Sequence, residues 1–207
     1  MTRLVLISDT HDLQDQVEVP DGDILIHAGD LTMRGALKDL VPINNYFAAL
    51  PHEHKLVIAG NHDFCFESYN EVARKLLSSV TYLQDESVTV EGIEFYGSPW
   101  QPRFEDWAFN ADRGPEIAAV WAQIPSATQV LITHGPPVGI RDVLQSGAGV
   151  GCLDLLRRVR SVKPKLHVFG HIHEGYGISD IDGIVYANAA TCDVDYRICN
   201  APLVIDL

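Results

Sequence analysis

Five short apolar runs, each ending abruptly in polar residues, constrain the fold more than any other feature of the sequence. Because these runs are apolar throughout instead of alternating, they are typical of strands that are buried on both faces, with helices between them. They are RLVLIS before Asp9, DILIHA before Gly29-Asp30, HKLVIA before Gly60-Asn61-His62-Asp63, QVLIT before His134, and KLHVF before Gly170-His171. The pattern therefore predicts an α/β protein built on parallel strand–helix units.

The remaining segments predict four helices and two antiparallel hairpins. The helices are expected roughly at Gly35–Leu50, Glu67–Ser79, Pro115–Gln123 and Gly151–Ser161. Pro115 suits the first turn of the third helix, whereas Pro42 is expected to kink or split the first one. The hairpin strands are expected at Ser87–Val90, Ile93–Gly97, Gly177–Ile181 and Ile184–Asn188, with Asp182-Gly183 as a two-residue turn in the second pair. Two sheets with helices outside, an α/β sandwich, accommodate both kinds of unit, and the lack of repeats and linkers indicates one domain over residues 1–207.

The charge balance limits the classes of partner. The chain has a net charge of −13 and lacks the basic stripes with which proteins bind nucleic-acid backbones or anionic membranes. A small phosphorylated substrate is compatible with that charge, because bound cations reverse the local field. The four cysteines form no CxxC pair, and the N-terminal apolar segment is too short for a signal peptide. We therefore expect reduced thiols, a cytoplasmic location and no membrane span, while the oligomeric state stays open, a dimer included.

The polar residues that follow the five runs are expected to meet in one place. In open α/β sheets, ligands bind beyond the carboxyl ends of the strands, which share one edge. Each of these residues alone has an ordinary explanation as a helix cap, a turn former or a loop residue. Their occurrence together at strand ends predicts one site formed by Asp9, His11, Asp30, Asn61, His62, Asp63, His134, His171 and His173.

The donor types in this set predict metal binding. Carboxylate, imidazole and amide groups without a thiolate suit Mn, Fe, Co, Ni or Zn better than a structural zinc site. The set is too large for one ion, so we expect two divalent ions that share a bridging carboxylate, an arrangement suited to phosphate ester hydrolysis. Mn²⁺ is expected first, with Fe, Zn, Co and Ni as alternatives. The remaining histidines, which are His27, His52, His54 and His167, are assigned to structure or surface.

In order and spacing, the polar blocks resemble those of the calcineurin-like metallophosphoesterase superfamily. The blocks are DTH at Asp9–His11, GD at Gly29–Asp30, GNHD at Gly60–Asp63, HGPP from His134, and GHIH at Gly170–His173. The segments HAGDLTMRG, GSPWQPRF and HGPPVGIRD further resemble the branch named for metallophosphoesterase-domain brain proteins and its bacterial relatives. The resemblance covers nearly the whole chain. It implies a four-layer α/β/β/α sandwich, in which helices flank two mixed β-sheets, and hydrolysis of cyclic nucleotides and other phosphodiesters.

The resemblance also implies a division of roles among the residues of the site. A first metal ion would be held by Asp9, His11 and His173. A second ion would be completed by Asn61, His134 and His171, and Asp30 would bridge the two. His62 would face the substrate and stabilise or protonate the leaving oxygen, with Asp63 orienting its ring.

The segment Tyr96–Gly114 is the most informative about the substrate, because it combines aromatic residues with arginines. An aromatic face can stack on a nucleobase, and an arginine can form paired hydrogen bonds with a phosphate. Trp100 is the first candidate for a ligand contact, and Arg103, Arg34 and Arg141 are candidates for phosphate contacts. A small core beneath the loop also explains the aromatic residues, and surface ion pairs explain the arginines. The glycine-rich stretch at 146–152 follows no strand, so it predicts a flexible lead-in to a helix instead of a dinucleotide site.

These inferences lead to one principal hypothesis and three alternatives. The chain is expected to be a dimetal phosphodiesterase that hydrolyses small phosphodiesters, such as cyclic nucleotides, by attack of a metal-bound hydroxide on phosphorus. A phosphomonoesterase and a nucleotide-binding regulatory protein with incidental hydrolysis use the same residues and stay open. A metallohydrolase of amide or thioester bonds ranks lower, because its usual clusters, such as HExxH, are absent.

Overall fold

The computed structural model describes all residues from 1 to 207. Its strands are β1 (Arg3–Ile7), β2 (Ile24–Ala28), β3 (His54–Ile58), β4 (Thr81–Tyr82), β5 (Glu86–Val90), β6 (Ile93–Ser98), β7 (Gln101–Pro102), β8 (Asn110–Ala111), β9 (Val130–Thr133), β10 (Leu166–Phe169), β11 (Gly177–Ile181), β12 (Ile184–Asn188) and β13 (Leu203–Asp206). Its α-helices are α1 (Leu40–Ala49), α2 (Phe64–Ser68), α3 (Asn70–Leu76), α4 (Pro115–Trp121) and α5 (Leu153–Val162). None of these helices has the length and apolar character needed to cross a membrane.

The strands form two main sheets, both of mixed direction. The first has the order β13-β1-β2-β3-β4, in which β13 runs antiparallel to β1 and the other neighbours are parallel. The second has the order β11-β12-β10-β9-β6-β5, in which a hairpin at each edge flanks a parallel centre. The five apolar runs of the sequence are β1, β2, β3, β9 and β10, so the parallel strands of each sheet deliver their polar residues to one edge.

Three apolar cores separate four layers. Leu4 and Leu6 of β1 face the second sheet and meet Ile132 of β9 in the core between the sheets. The alternate residues of β1, Val5 and Ile7, belong to a core shared with α1, α2 and α3. A third core joins the outer face of the second sheet to α4 and α5. Because β1 buries both faces, its residues from Leu4 to Ile7 are apolar without alternation. The predicted α/β/β/α sandwich is confirmed.

The first two helices differ from the prediction in where they begin and end. The first one begins at Leu40 after a 3₁₀ turn, Leu37–Asp39, and Pro42 lies in its first turn. Backbone N–H groups in a first turn have no intrahelical acceptor, so Pro42 neither kinks nor splits this helix. The segment predicted as one helix at 67–79 forms α2 and α3, which are joined at Tyr69.

The predicted hairpins lie close to their expected positions. Asp182 and Gly183 join β11 to β12 with φ values of 55° and 78°, the left-handed pair that a tight two-residue turn requires. The four cysteines form no disulfide bond with one another.

Candidate metal centre

The structure brings the predicted metal ligands together at the carboxyl ends of five parallel strands. Asp9 and His11 follow β1, Asp30 follows β2, and Asn61 follows β3, while the second sheet supplies His134 after β9 and His171 and His173 after β10. Three groups have potential donor atoms that all lie within 4.8 Å of one another, and these are Asp9/His11/His173, Asp30/His134/His171 and His11/Asp30/His62. The first two groups correspond to the expected first and second ion.

The Asp30 carboxylate lies between these two groups. Its Oδ2 atom is 3.8 Å from His11 Nε2 and 3.4 Å from His134 Nε2. The Asn61 amide oxygen is in turn 2.9 Å from His134 Nε2. On the other side, His173 Nε2 is 3.5 Å from Asp9 Oδ1. Asp30 therefore occupies the position that a carboxylate shared by two ions needs.

The backbone at the strand ends is turned tightly to point these side chains inward. Asp9, His11, Asp30 and His171 have φ values of 55°, 45°, 56° and 65°, in a left-handed region that non-glycine residues seldom adopt. The conformation is held by bonds between neighbouring loops, such as Asp9 N to the Gly29 carbonyl at 2.9 Å and His11 N to the Asp30 carbonyl at 3.1 Å.

Two glycines let the loops approach the carboxylates. A β-carbon at Gly60 would overlap Asp30 Oδ1, and one at Gly170 would overlap Asp9 Oδ2. Because neither glycine has a β-carbon, the next residue of each loop can reach the carboxylate. The His62 N–H donates to Asp30 Oδ1 at 2.8 Å, and the His171 N–H donates to Asp9 Oδ2 at 3.0 Å. The glycines of the GNHD and GHIH motifs are therefore needed for the close approach of loop backbone to the two ligand carboxylates.

The buried charges of the site fit divalent cations. Burial alone would raise the pKa of Asp30, but His134 beside it lowers that pKa, and His173 likewise lowers the pKa of Asp9. Burial opposes the charge on the two imidazoles, yet Asp30 raises the pKa of His134 to about 9 and Asp9 raises that of His173 to about 9. The two buried carboxylates thus each require a positive neighbour, which a divalent ion supplies.

A second observation supports this fit. Both ring nitrogens of His11 are buried and have no hydrogen-bond partner. Burial lowers the pKa of His11 to about 4 and that of His171 to about 3, so both rings are neutral and carry the lone pair that a metal ligand needs. His134 Nδ1 donates to the Ala28 carbonyl at 3.0 Å and His173 Nδ1 donates to the Asp193 carbonyl at 2.8 Å, which directs both Nε2 atoms into the site.

His62 lies at the edge of this centre, and its ring is held differently from the prediction. Its Nδ1–H donates to the Met33 carbonyl at 2.8 Å, its Nε2 is 4.0 Å from Asp30 Oδ2, and its ring centroid is 4.2 Å from that of Trp107. The prediction that Asp63 orients this ring is wrong. Asp63 is fully buried and accepts hydrogen bonds from the backbone N–H groups of Leu31, Thr32 and Gly60 and from the Thr32 hydroxyl. It therefore fixes the loops after β2 and β3 relative to each other.

His27, which the sequence assigned to structure, also positions the site. Its Nδ1 accepts from the Gly29 N–H at 3.3 Å, so its Nε2–H donates to the Thr10 hydroxyl at 3.0 Å. These partners lie next to Asp9, His11 and Asp30 in the chain. The only sequence signal for this role is a polar residue inside an otherwise apolar strand.

Of the predicted substrate contacts, Arg34 and Arg103 lie at pockets next to the metal centre. Arg34 lines a cavity of about 730 Å³ together with His62, Trp107 and Tyr196. Arg103 lines a smaller cavity of about 180 Å³ that reaches His171, although it also pairs with Asp112.

The other two candidates are occupied elsewhere. The Trp100 indole N–H donates to Asp85 at 2.8 Å, and the ring packs against the apolar cores instead of lining either cavity. Arg141 binds the carbonyls of Gly175, Tyr176 and Ile178, so it holds the β11 connection and not a phosphate. Trp107 and Tyr196, by contrast, line the large cavity beside His62. Tyr196 was missed because it follows no strand and belongs to no motif.

Comparisons with known proteins agree with this geometry. The sequence profile of the family described as calcineurin-like phosphoesterase matches residues 2–175. Human metallophosphoesterase domain-containing protein 1 is 44% identical over 232 aligned residues, which cover 100% of this chain and 71% of the human protein. A UPF0046 protein of Caenorhabditis elegans is 39% identical over 216 residues, which cover 98% of this chain and 74% of the nematode protein.

Solved structures share the fold at much lower identity. The protein TT1561 of Thermus thermophilus superposes with a TM-score of 0.62 at 12% identity, over 90% of this chain and 88% of that one. An archaeal phosphodiesterase superposes with a TM-score of 0.50 at 16% identity, over 98% and 99% of the two chains. Together with the His and Asp clusters at the strand ends, the profile match and the close relatives show that this chain belongs to the calcineurin-like phosphoesterase family.

Proposed function

We propose that the protein is a phosphodiesterase that hydrolyses small phosphodiesters, cyclic nucleotides among them, with two divalent cations and Mn²⁺ as the first candidate. The observation that carries the proposal is a central cleft at the metal centre, lined in part by Asp30, Asn61 and His173, with a separate cavity on each of two sides. The cleft shares His62, Trp107 and Tyr196 with the large cavity, and it shares Phe104 and His171 with the small one. The two cavities have no lining residue in common. An acyclic diester has two separate arms to place beside its phosphorus, whereas a monoester has one, and a cyclic nucleotide carries both ester oxygens on one ribose.

The roles of the chain's own residues follow from their positions. Cations held by Asp9, Asp30 and the imidazoles would bind phosphate oxygens and make a water molecule nucleophilic at neutral pH. Asp30 is the ligand suited to bridging, because its carboxylate lies between His11 and His134. Asp63 and His27 keep these ligands in place by holding the loops that carry them.

His62 is the group suited to proton transfer. The Met33 carbonyl fixes its Nδ1–H, so the ring presents Nε2 to the cleft, 4.0 Å from Asp30 Oδ2. As the oxygen of water bonds to phosphorus and the ester bond to the departing arm breaks, His62 gives its Nε2 proton to the departing oxygen. The water molecule loses one proton to solvent, and the products are a phosphomonoester and an alcohol or phenol. A cyclic diester instead opens to a single phosphomonoester that keeps the freed hydroxyl.

The test is a substrate panel with purified protein and Mn²⁺, Fe²⁺, Co²⁺, Ni²⁺ or Zn²⁺. We expect bis(p-nitrophenyl) phosphate and cyclic nucleotides to be hydrolysed with a higher kcat/KM than p-nitrophenyl phosphate. Faster hydrolysis of the monoester would overturn the diester assignment. Nucleotide binding without turnover under every metal would favour a regulatory protein instead.

A further inference from the structure

The large cavity next to His62 has walls suited to an aromatic ring. Trp107, Tyr196, Phe64 and Met33 supply apolar surface, and the volume of about 730 Å³ falls in the range of small-molecule sites. The Trp107 and Tyr196 rings flank His62, with centroids 4.2 Å and 6.0 Å from that of the imidazole. We propose that Trp107 and Tyr196 form a subsite for an aromatic ring on the departing arm of the substrate, an inference that rests on the proposed function.

The position of His62 decides which arm enters this subsite. His62 lines both the central cleft and the large cavity, but it does not line the small cavity. The group that protonates the departing oxygen must lie within hydrogen-bond reach of it. The arm on the His62 side of the phosphorus is therefore the one that leaves, and its ring lies against Trp107 and Tyr196. The arm that stays on phosphorus extends past His171 into the small cavity.

Tyr196 is held in place by the residues around a metal ligand. The backbone carbonyl of Asp193 accepts from His173 Nδ1 at 2.8 Å. The side-chain carboxylate of Asp193 accepts from the backbone N–H groups of Asp195 and Arg197 at 2.9 and 3.0 Å. Tyr196 lies between Asp195 and Arg197 and has a φ of 58°. Its ring lies over that of His11, with the two ring centroids 4.8 Å apart. One aspartate thus links the orientation of His173 to the position of the tyrosine.

Trp107 is tied to the other side of the metal centre. The Ala108 N–H donates to the Asn61 carbonyl at 3.1 Å, and the Phe109 N–H donates to Glu67 at 2.7 Å. Both walls of the subsite are therefore anchored to loops that carry predicted metal ligands, and little order has to be imposed when a ring binds.

The charges around the cavity add a restriction on the arm. Glu105 and Asp106 are exposed at its rim, and Arg34 is the one guanidinium among its lining residues. The rim is therefore net negative, which disfavours a departing arm with its own phosphate. The arm expected here is an uncharged aromatic alcohol or phenol, such as a nucleoside or an aryl group.

The subsite is tested by binding, which does not depend on turnover. Benzyl methylphosphonate and ethyl methylphosphonate are monoanionic diester mimics that differ in the aromatic ring. In the presence of Mn²⁺, we expect the full-length protein to bind the benzyl compound about ten-fold more tightly by titration calorimetry, from the stacking of one ring. Trp107→Ala and Tyr196→Ala should each remove most of this preference, whereas Trp107→Phe and Tyr196→Phe should retain it.

A matched control and two outcomes separate this inference from the proposed function. Tyr69→Ala removes another exposed aromatic ring, 60% accessible at the α2–α3 junction, and should leave the preference unchanged. If diesters are hydrolysed but neither alanine variant alters the benzyl preference, the subsite is wrong and the phosphodiesterase stands. If the preference behaves as expected but no diester is hydrolysed, the proposed function is wrong and the ring subsite stands. Equal binding of both phosphonates to the unaltered protein also overturns the subsite.

Discussion

The metal centre and the pocket walls differ in how firmly the chain determines them. Asp9, Asp30 and His134 are at most 2% exposed. Backbone N–H groups that follow neighbouring strands hold the carboxylates of Asp9 and Asp30 by hydrogen bonds. Phe104 and Tyr196, which line the pockets, are 60% and 39% exposed and lie on loops. A change in the first region is expected to disturb several buried charges at once, whereas a change in the second alters only the space offered to a ligand. We therefore expect substitutions in the cavity walls to change substrate choice more than they change the reaction chemistry.

The largest expected effect comes from Asp30→Asn at the junction of the two ligand groups. The substitution removes the negative charge shared between His11 and His134, so we expect loss of bound metal and a fall in kcat/KM of roughly 10³-fold or more. Metal content by mass spectrometry and hydrolysis of bis(p-nitrophenyl) phosphate measure the two effects. Asp206→Asn, which breaks an exposed ion pair with Arg3, is the control. Full metal content in the Asp30→Asn variant would refute the bridging role.

The next effect separates proton transfer from metal binding. His62→Ala should lower kcat by roughly 10²- to 10⁴-fold while the metal content stays unchanged, because His62 lies outside the two predicted ligand sets. His54→Ala, at the half-buried start of β3, is the matched histidine control. Unchanged turnover in the His62 variant would contradict its assignment, and loss of metal would place it among the ligands.

Asp63→Asn should weaken the folded protein more than it changes the chemistry. An amide cannot accept from all three backbone donors and the Thr32 hydroxyl, so we expect the free energy of unfolding to fall by about 2–3 kcal/mol. Urea unfolding measures this loss. Because Met33 and not Asp63 binds the His62 ring, the pH–rate profile of the surviving enzyme should keep its shape. A displaced profile would restore the role that the sequence suggested for Asp63.

The smallest effect concerns the strand that leads to His171. His167 in β10 is fully buried, its Nε2 is 2.8 Å from the Thr133 hydroxyl, and its Nδ1 has no partner. Burial lowers the pKa of His167 to about 3, against 6.5 when unburied. Between these values the unfolded chain binds the extra proton, so His167 makes stability fall as the pH is lowered from 6.5 towards 3, by about 1.4 kcal/mol per pH unit.

His167→Gln keeps a donor for Thr133 and cannot titrate, which makes it the variant for this prediction. Urea unfolding between about pH 6 and 4.5 measures how the free energy of unfolding changes with pH. This slope should be smaller in the variant by about 1.4 kcal/mol per pH unit. Parallel slopes for the two proteins would show that His167 is not the buried titrating group.

The sequence was sufficient for the layers and for the clustering of the candidate ligands, because both depend on one pattern. A strand buried on both faces must be apolar until it ends, and Asp9, Asp30 and His134 mark those ends. Helix ends were less predictable, since the start at Leu40 depends on packing against the sheet and not on periodicity. The sequence could not show that Trp107 lines the large cavity and Trp100 does not. The position of Trp107 depends on the backbone hydrogen bond from Ala108 to Asn61, which lie 47 positions apart in the chain. For Tyr196, an aspartate-bounded turn was the only local signal.

The left-handed backbone at Asp9, His11, Asp30 and His171 has a consequence for engineering. Each such residue costs on the order of 1–2 kcal/mol, and glycine would relieve that cost. A search for stabilising substitutions would therefore rank these four positions highly, and accepting its advice would erase the side chains on which the site depends. Relief of backbone strain and loss of the candidate ligands are therefore coupled at these four positions.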